Sequence, residues 1–159
     1  MNPPIVNKAG PAKGQGEGFA VTLTLQQGYQ FDVDFQHGSI PRLVVDEHPP
    51  LGKGAGPNPV RMLATAVAHC LGSSLLFCLR KARIEPTGLR TTVHGTMVRN
   101  EAGRLRIGEL RVVLDPSFEL GDRERIGRCL ELFEDFCIVT GSVRQGIDVH
   151  VELKGVGAS

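Results

Sequence analysis

Phe19, Val21, Leu23 and Leu25 alternate with small or polar residues, and after Gln27-Gly28 the alternation resumes at Tyr29, Phe31, Val33 and Phe35. A period of two puts each set on one side of a strand, so this stretch reads as a hairpin with one apolar face. Arg42 to Asp46 reads as a third strand. His48 to Pro59 then carries four prolines and three glycines, a composition that excludes both helix and sheet. Asn58 is a suitable N-cap with Pro59 at the first helical position, and the helical pattern runs to about Ile84 before Pro86-Thr87-Gly88 ends it. That helix is apolar on all sides.

Leu89 to Arg99 and Leu105 to Asp115 flank Asn100-Glu101-Ala102-Gly103 and read as a second hairpin. Leu105 and Ile107 hold one phase and Leu110, Val112 and Leu114 the other, which predicts a bulge near Gly108. A second helix, capped by Asp122, is predicted from Ile126, Cys129, Leu130, Phe133 and Cys137, with Cys137 at its end. After a short Thr140 to Gln145 segment and the breaker Gly146, the alternation Ile147, Val149, Val151, Leu153 predicts a final strand.

The sum is an α+β domain of antiparallel sheet with a long central helix and a second helix. One small sheet covers one face of an all-round apolar helix, so a second copy is expected to cover another, as an intimate homodimer. Met62 to Leu79 carries no formal charge, and a membrane span must be weighed. His69, Gly72, Ser73 and Ser74 fall in the middle of that run, where a lone spanning helix tolerates polar groups worst, and we reject the membrane reading.

The 159 residues and 17.2 kDa suit one domain, read as residues 19–159 behind a flexible segment at 1–18. With 18 Lys+Arg against 17 Asp+Glu there is no source for the phosphate attraction of a nucleic-acid binder. Met1 to Gly18 lacks the basic-then-apolar pattern of a secretory signal, so a reducing cytoplasm is expected and structural disulfides are not. Leu51-Gly52-Lys53-Gly54-Ala55-Gly56 lacks the frame of a phosphate loop, and Gly14-Gln15-Gly16-Glu17-Gly18 precedes a strand where a dinucleotide fingerprint follows one. The five histidines have no metal-ligand spacing, and there is no G-x-S-x-G elbow. Neither a cofactor nor a metal is therefore expected.

Cysteines remain, at 70, 78, 129 and 137, without a C-x-x-C pair. Each is either a reactive thiol or a small apolar core filler, and the pattern alone leaves both open. The stretches GPNPVRMLATAVAHC, reached through DEHPPLGKGAG, and DFCIVTGSVRQGIDVHVEL resemble the osmotically inducible protein C and organic hydroperoxide resistance (OsmC/Ohr) family, from about Phe19 to Leu153. The resemblance implies an OsmC-like α+β fold that dimerises by intertwining, and a thiol-dependent peroxidase acting on small apolar organic hydroperoxides. It implies Cys70 as the attacking thiolate, Cys137 as the resolving thiol, and an external dithiol as reductant. Val60 stands where the peroxidase branch carries a glutamate that holds an activating arginine, so the chain looks closer to the OsmC-like branch. A non-catalytic relative that binds an apolar ligand, or a redox sensor, is the alternative.

Activation of Cys70 is the physical question. It lies about three turns beyond Pro59, and a helix dipole acts within the first turn. A cation is therefore required. Arg61, nine residues back, falls on the opposite face of its own helix, which leaves Lys13, Arg42, an arginine of a second copy, or a protonated His69. Cys78 and Cys129 are each eight residues from a candidate, about 80° off line, and are assigned to packing. Leu63, Val67, Ser74 and Phe77 lie on or near the Cys70 face and suit either an apolar substrate or plain core.

Overall fold

The computed structural model describes residues 18–118 and 126–154. Lys13 and the cap expected at Asp122 lie outside them. Strands β1 (Thr22–Gln27), β2 (Gln30–Asp34) and β3 (Leu43–Val45) form an antiparallel sheet in the order β1-β2-β3. Arg42, just before β3, donates to Asp32 at 2.6 Å and Asp34 at 3.1 Å, both on the central strand β2.

The proline- and glycine-rich loop that follows is folded around Asp46, which is 3% exposed. Its carboxylate accepts the backbone N–H groups of Glu47 (2.8 Å), Lys53 (3.0 Å) and Ala55 (3.1 Å). The bond from Ala55, with those from Lys53, Glu47 and Gly54, outweighs burial and holds this carboxyl below its ordinary range. Gly52 sits so close to the Glu47 carbonyl and the Asp46 carboxylate that no Cβ fits there. These glycines serve the loop's own packing, in keeping with the rejection of a phosphate loop.

The loop delivers the chain to α1 (Pro59–Lys81), where Asn58 accepts from the Arg61 N–H at 3.0 Å as the expected N-cap. The helix ends before Ile84 because Arg83 adopts a left-handed backbone (φ 59°). By length and composition α1 could cross a membrane. In the fold, Val67, Leu71, Gly72, Ser74, Leu75, Cys78 and Leu79 are buried along it.

Strands β4 (Gly88–Arg99) and β5 (Leu105–Ser117) form a separate antiparallel hairpin against α1. Its register pairs Thr96 with Glu109 but Met97 with Ile107, leaving Gly108 as the extra residue. This is the predicted bulge. It switches the inward phase from Ile107 to Leu110, Val112 and Leu114.

Two expectations fail here. The second helix does not run through Cys137: α2 (Gly127–Leu132) gives way to a 3-10 turn (Phe133–Phe136), and Cys137 caps a new helix, α3 (Ile138–Gln145). The side chain at 137 accepts a backbone N–H and its extended backbone (φ −82°, ψ 96°) breaks the helix, so the apolar spacing continued where the helix did not. The segment expected as a final strand, Ile147 to Leu153, pairs with no strand among the described residues, and Val149, Val151 and Leu153 are each about four-fifths exposed. Among the described residues β1 is likewise uncovered, exposed at every position, whereas Val33 on β2 is buried.

Candidate active site

Residues 126–145 run back along α1 in the opposite direction, so that Cys137 meets Cys70 and Cys129 meets Cys78. The sequence-predicted pair, Cys70 and Cys137, is therefore brought together in one cluster with Val67, Leu71, Phe133 and Val139. Cys137 is 2% exposed, and Cys70 is half-buried. No disulfide joins any of the four cysteines.

The start of α3 surrounds both sulfurs with donors. Cys137 Sγ lies 3.0 Å from Thr140 Oγ1 and accepts the Thr140 backbone N–H at 3.4 Å. The thiol can donate to that hydroxyl, and the thiolate accepts from it. Backbone N–H groups of Val139 and Ile138 act on Cys70 in turn. The first amides of a helix have no partner within it and carry its positive pole, so the two sulfurs occupy a place made for one negative charge.

Burial and the neighbouring Cys137 sulfur push the Cys70 thiol up, against the Val139 and Ile138 amides. Burial also opposes ionisation of Cys137. There the Cys70 S–H, the Thr140 hydroxyl and N–H, and the Val139 N–H together win and bring it below the ordinary thiol value. Within one chain the shared charge rests on Cys137, and Cys70 donates to it. Expectation looked for a cation, from Lys13, Arg42, a second copy or a protonated His69. What the fold supplies is the N-terminus of a different helix, which no spacing within α1 could reveal.

The cations named from sequence are engaged elsewhere: Arg42 with Asp32 and Asp34, Arg61 with His48. His69 is exposed on α1.

A cavity of about 520 Å³ adjoins the cluster, although neither cysteine lines it. Leu63, Val67, Leu71, Leu110, Val112 and Phe133 give it apolar walls, and Thr140, the partner of Cys137, also lines it. Val67 and Leu71 touch both the cavity and the cysteine cluster. Glu134 and Arg144, joined at 2.7 Å, supply its charged rim. Of the four residues expected on the Cys70 face, Leu63 and Val67 line this cavity. Ser74 is buried in the core, and Phe77 packs edge-on to Phe136 at 5.7 Å with Lys81 Nζ 4.7 Å over its ring.

Residues 52–152 match the family model described as OsmC-like protein. Among solved structures, the chain is similar to an OsmC-like protein from Mycoplasma pneumoniae (TM-score 0.68, 14% identity, 82% of this chain and 89% of that one). It is also similar to a putative osmotic stress induced and detoxification response protein from Psychrobacter arcticus 273-4 (TM-score 0.64, 22% identity, 82% and 91%). The organic hydroperoxide resistance protein OhrB of Bacillus subtilis is a third (TM-score 0.58, 22% identity, 87% and 98%). No curated protein matches the sequence.

Proposed function

The chain belongs to the OsmC-like protein family, and from that premise we propose that it is a thiol-dependent peroxidase that reduces organic hydroperoxides through Cys70 and Cys137. The observation that carries this reading is the packing of Cys70 and Cys137 in one cluster at the start of α3, beside an apolar cavity. Organic hydroperoxide resistance proteins among the structural neighbours lend it the substrate class.

The chemistry needs one accessible sulfur and one that can hold charge. Cys70 is the more exposed of the two; it passes its proton to Cys137 and attacks the distal peroxide oxygen as the thiolate. The O–O bond breaks, the alcohol leaves with a proton, and Cys70 becomes a sulfenic acid. Cys137, already favoured as thiolate by its helix-capping bonds, then attacks that sulfur, and the S–S bond forms as water leaves. An external dithiol restores both thiols. The walls of Leu63, Val67 and Leu71 hold the organic part of the peroxide by burial.

The active form is a homodimer in the cytoplasm. The uncovered β1 face and the unpaired apolar alternation at Ile147 to Leu153 are surfaces a second copy would bury.

Counting thiols after mixing the reduced protein with one equivalent of cumene hydroperoxide tests the reading. Two of the four thiols disappear in the wild type and return with a dithiol, and Cys70→Ser keeps its thiols. No loss, or equal loss in Cys70→Ser, overturns it. The raised Cys70 thiol favours a second reading, a redox sensor that closes the disulfide once; sustained turnover with a dithiol excludes that.

A further inference from the structure

We propose that Cys78 and Cys129 form a second dithiol, which organic hydroperoxide closes into a buried disulfide joining α1 to α2. Cys129 Sγ lies 3.1 Å from the carbonyl oxygen of Cys78 itself, which brings the sulfur within one residue's reach of the Cys78 side chain. Both cysteines are 7% exposed and share one cluster with Leu75, Leu79, Ile84 and Ile126.

The antiparallel return of residues 126–145 explains why a second pair exists. Cys78 follows Cys70 by eight residues on α1, about 12 Å along its axis, and Cys129 precedes Cys137 by the same number. The two pairs are therefore successive rungs between the same two runs of chain. Twelve ångströms is too far for direct exchange between the rungs, so the second must meet its own oxidant. An apolar cavity of about 620 Å³ lies on the other side of Leu75 and Ile126, both packed in the Cys78/Cys129 cluster, so a peroxide there is one side chain away from the sulfurs, which do not line it.

The reaction balances as at the first pair. One sulfur takes the distal oxygen of the hydroperoxide to become a sulfenic acid while the alcohol departs. The other displaces that oxygen as water, so the sulfurs lose two electrons and the peroxide bond gains them. Burial and the neighbouring Cys129 raise the Cys78 thiol, which makes this rung slower than the first. It closes only when peroxide is in excess. The product joins residues 51 apart in sequence and restricts the unfolded chain accordingly.

The oxidant rests on the proposed function, and two titration regimes keep the two ideas apart. With one equivalent of cumene hydroperoxide, loss of the Cys70 and Cys137 thiols alone reports on the peroxidase. With a large excess, Cys70→Ser/Cys137→Ser protein loses its two remaining thiols, falls by two mass units, gives a linked Cys78–Cys129 peptide and melts at a higher temperature, all reversed by a dithiol. Should that variant fail to fold, the same linked peptide is sought in wild type under excess peroxide. Intact thiols at 78 and 129, or their conversion to sulfinic acids without a linked peptide, overturns the inference whatever the first pair does.

Discussion

Thr140→Val tests the origin of the charge at the cysteine pair. The substitution exchanges a hydroxyl for a methyl of nearly the same shape, in a cluster already built from Val67, Leu71 and Val139. It removes the 3.0 Å contact between Oγ1 and Cys137 Sγ and keeps the backbone N–H bond at 3.4 Å. Thr140 is 7% and Cys137 2% exposed, so solvent does not replace the lost donor. A hydrogen bond to a charged partner is worth about 1.5–3 kcal/mol, and sulfur is a weak acceptor, so the lower end applies. That corresponds to about a tenfold smaller thiolate population at fixed pH.

The assay is thiolate absorbance near 240 nm against pH in a Cys78→Ser/Cys129→Ser background, where the first proton to leave belongs to the Cys70–Cys137 pair as a whole. Thr140→Val moves that first step to higher pH and slows single-turnover oxidation in proportion. Thr140→Ser restores both. A titration curve that coincides with the parent's, or shifts to lower pH, refutes the assignment of the charge to the start of α3.

Other consequences are open to direct measurement. Cys137→Ser removes the sulfur that raises Cys70, so the Cys70 thiol ionises at lower pH than in the pair, and its sulfenic acid accumulates for trapping by dimedone; a higher titration point contradicts the coupling. The Asp46 carboxyl is lowered on folding, so its stabilisation is complete above the ordinary value of 3.8 and is lost as pH falls through the folded value. Asp46→Asn is accordingly less stable at neutral pH and loses less on acidification, as urea midpoints from about pH 2 to 6 would reveal, and parallel profiles refute the role. At Gly108 an added Cβ would stand 2.6 Å from Val98 Cγ1, so Gly108→Ala costs about 1–3 kcal/mol by urea unfolding. Val98→Ala in the same chain recovers part of that loss, and strict additivity would refute the clash.

The sequence was most legible where a local rule decides the outcome. Asn58-Pro59 begins α1 because a cap and a preset φ act within one turn, and Gly108 marks the bulge because the apolar phase changes beside it. Cys70 and Cys137 were legible as a pair only through the resemblance, and spacing contributed nothing to it. The break at Cys137 was hidden because Ile126, Cys129, Leu130, Phe133 and Cys137 keep helical spacing across a 3-10 turn, and cysteine is not among the usual capping residues. Dismissing a helix dipole for Cys70 was sound for α1 and silent about α3, whose first residue lies 68 positions further along the chain. Cys78 and Cys129 were placed in the core correctly, but each was referred to the nearer candidate along its own helix, and their mutual contact follows only from the antiparallel return.

A single folding event thus accounts for features that look unrelated in sequence. Capping α3 with Cys137 spends the free amides of that helix on sulfur, within a run of residues 126–145 that returns along α1. With one side of α1 occupied by this return and another by the β4–β5 hairpin, both faces offered within the chain are filled. Among the described residues, the β1–β2–β3 sheet has no helix covering β1, and the alternating Ile147 to Leu153 segment has no strand to pair with. A β-edge and an apolar alternation in the same uncovered state are complementary needs, because each supplies what the other lacks: hydrogen-bonding partners and apolar cover. The proposed dimer follows from that complementarity, whereas the sulfur pair is assembled wholly within one chain. Weakening the association should therefore cost stability before it costs the contact between Cys70 and Cys137.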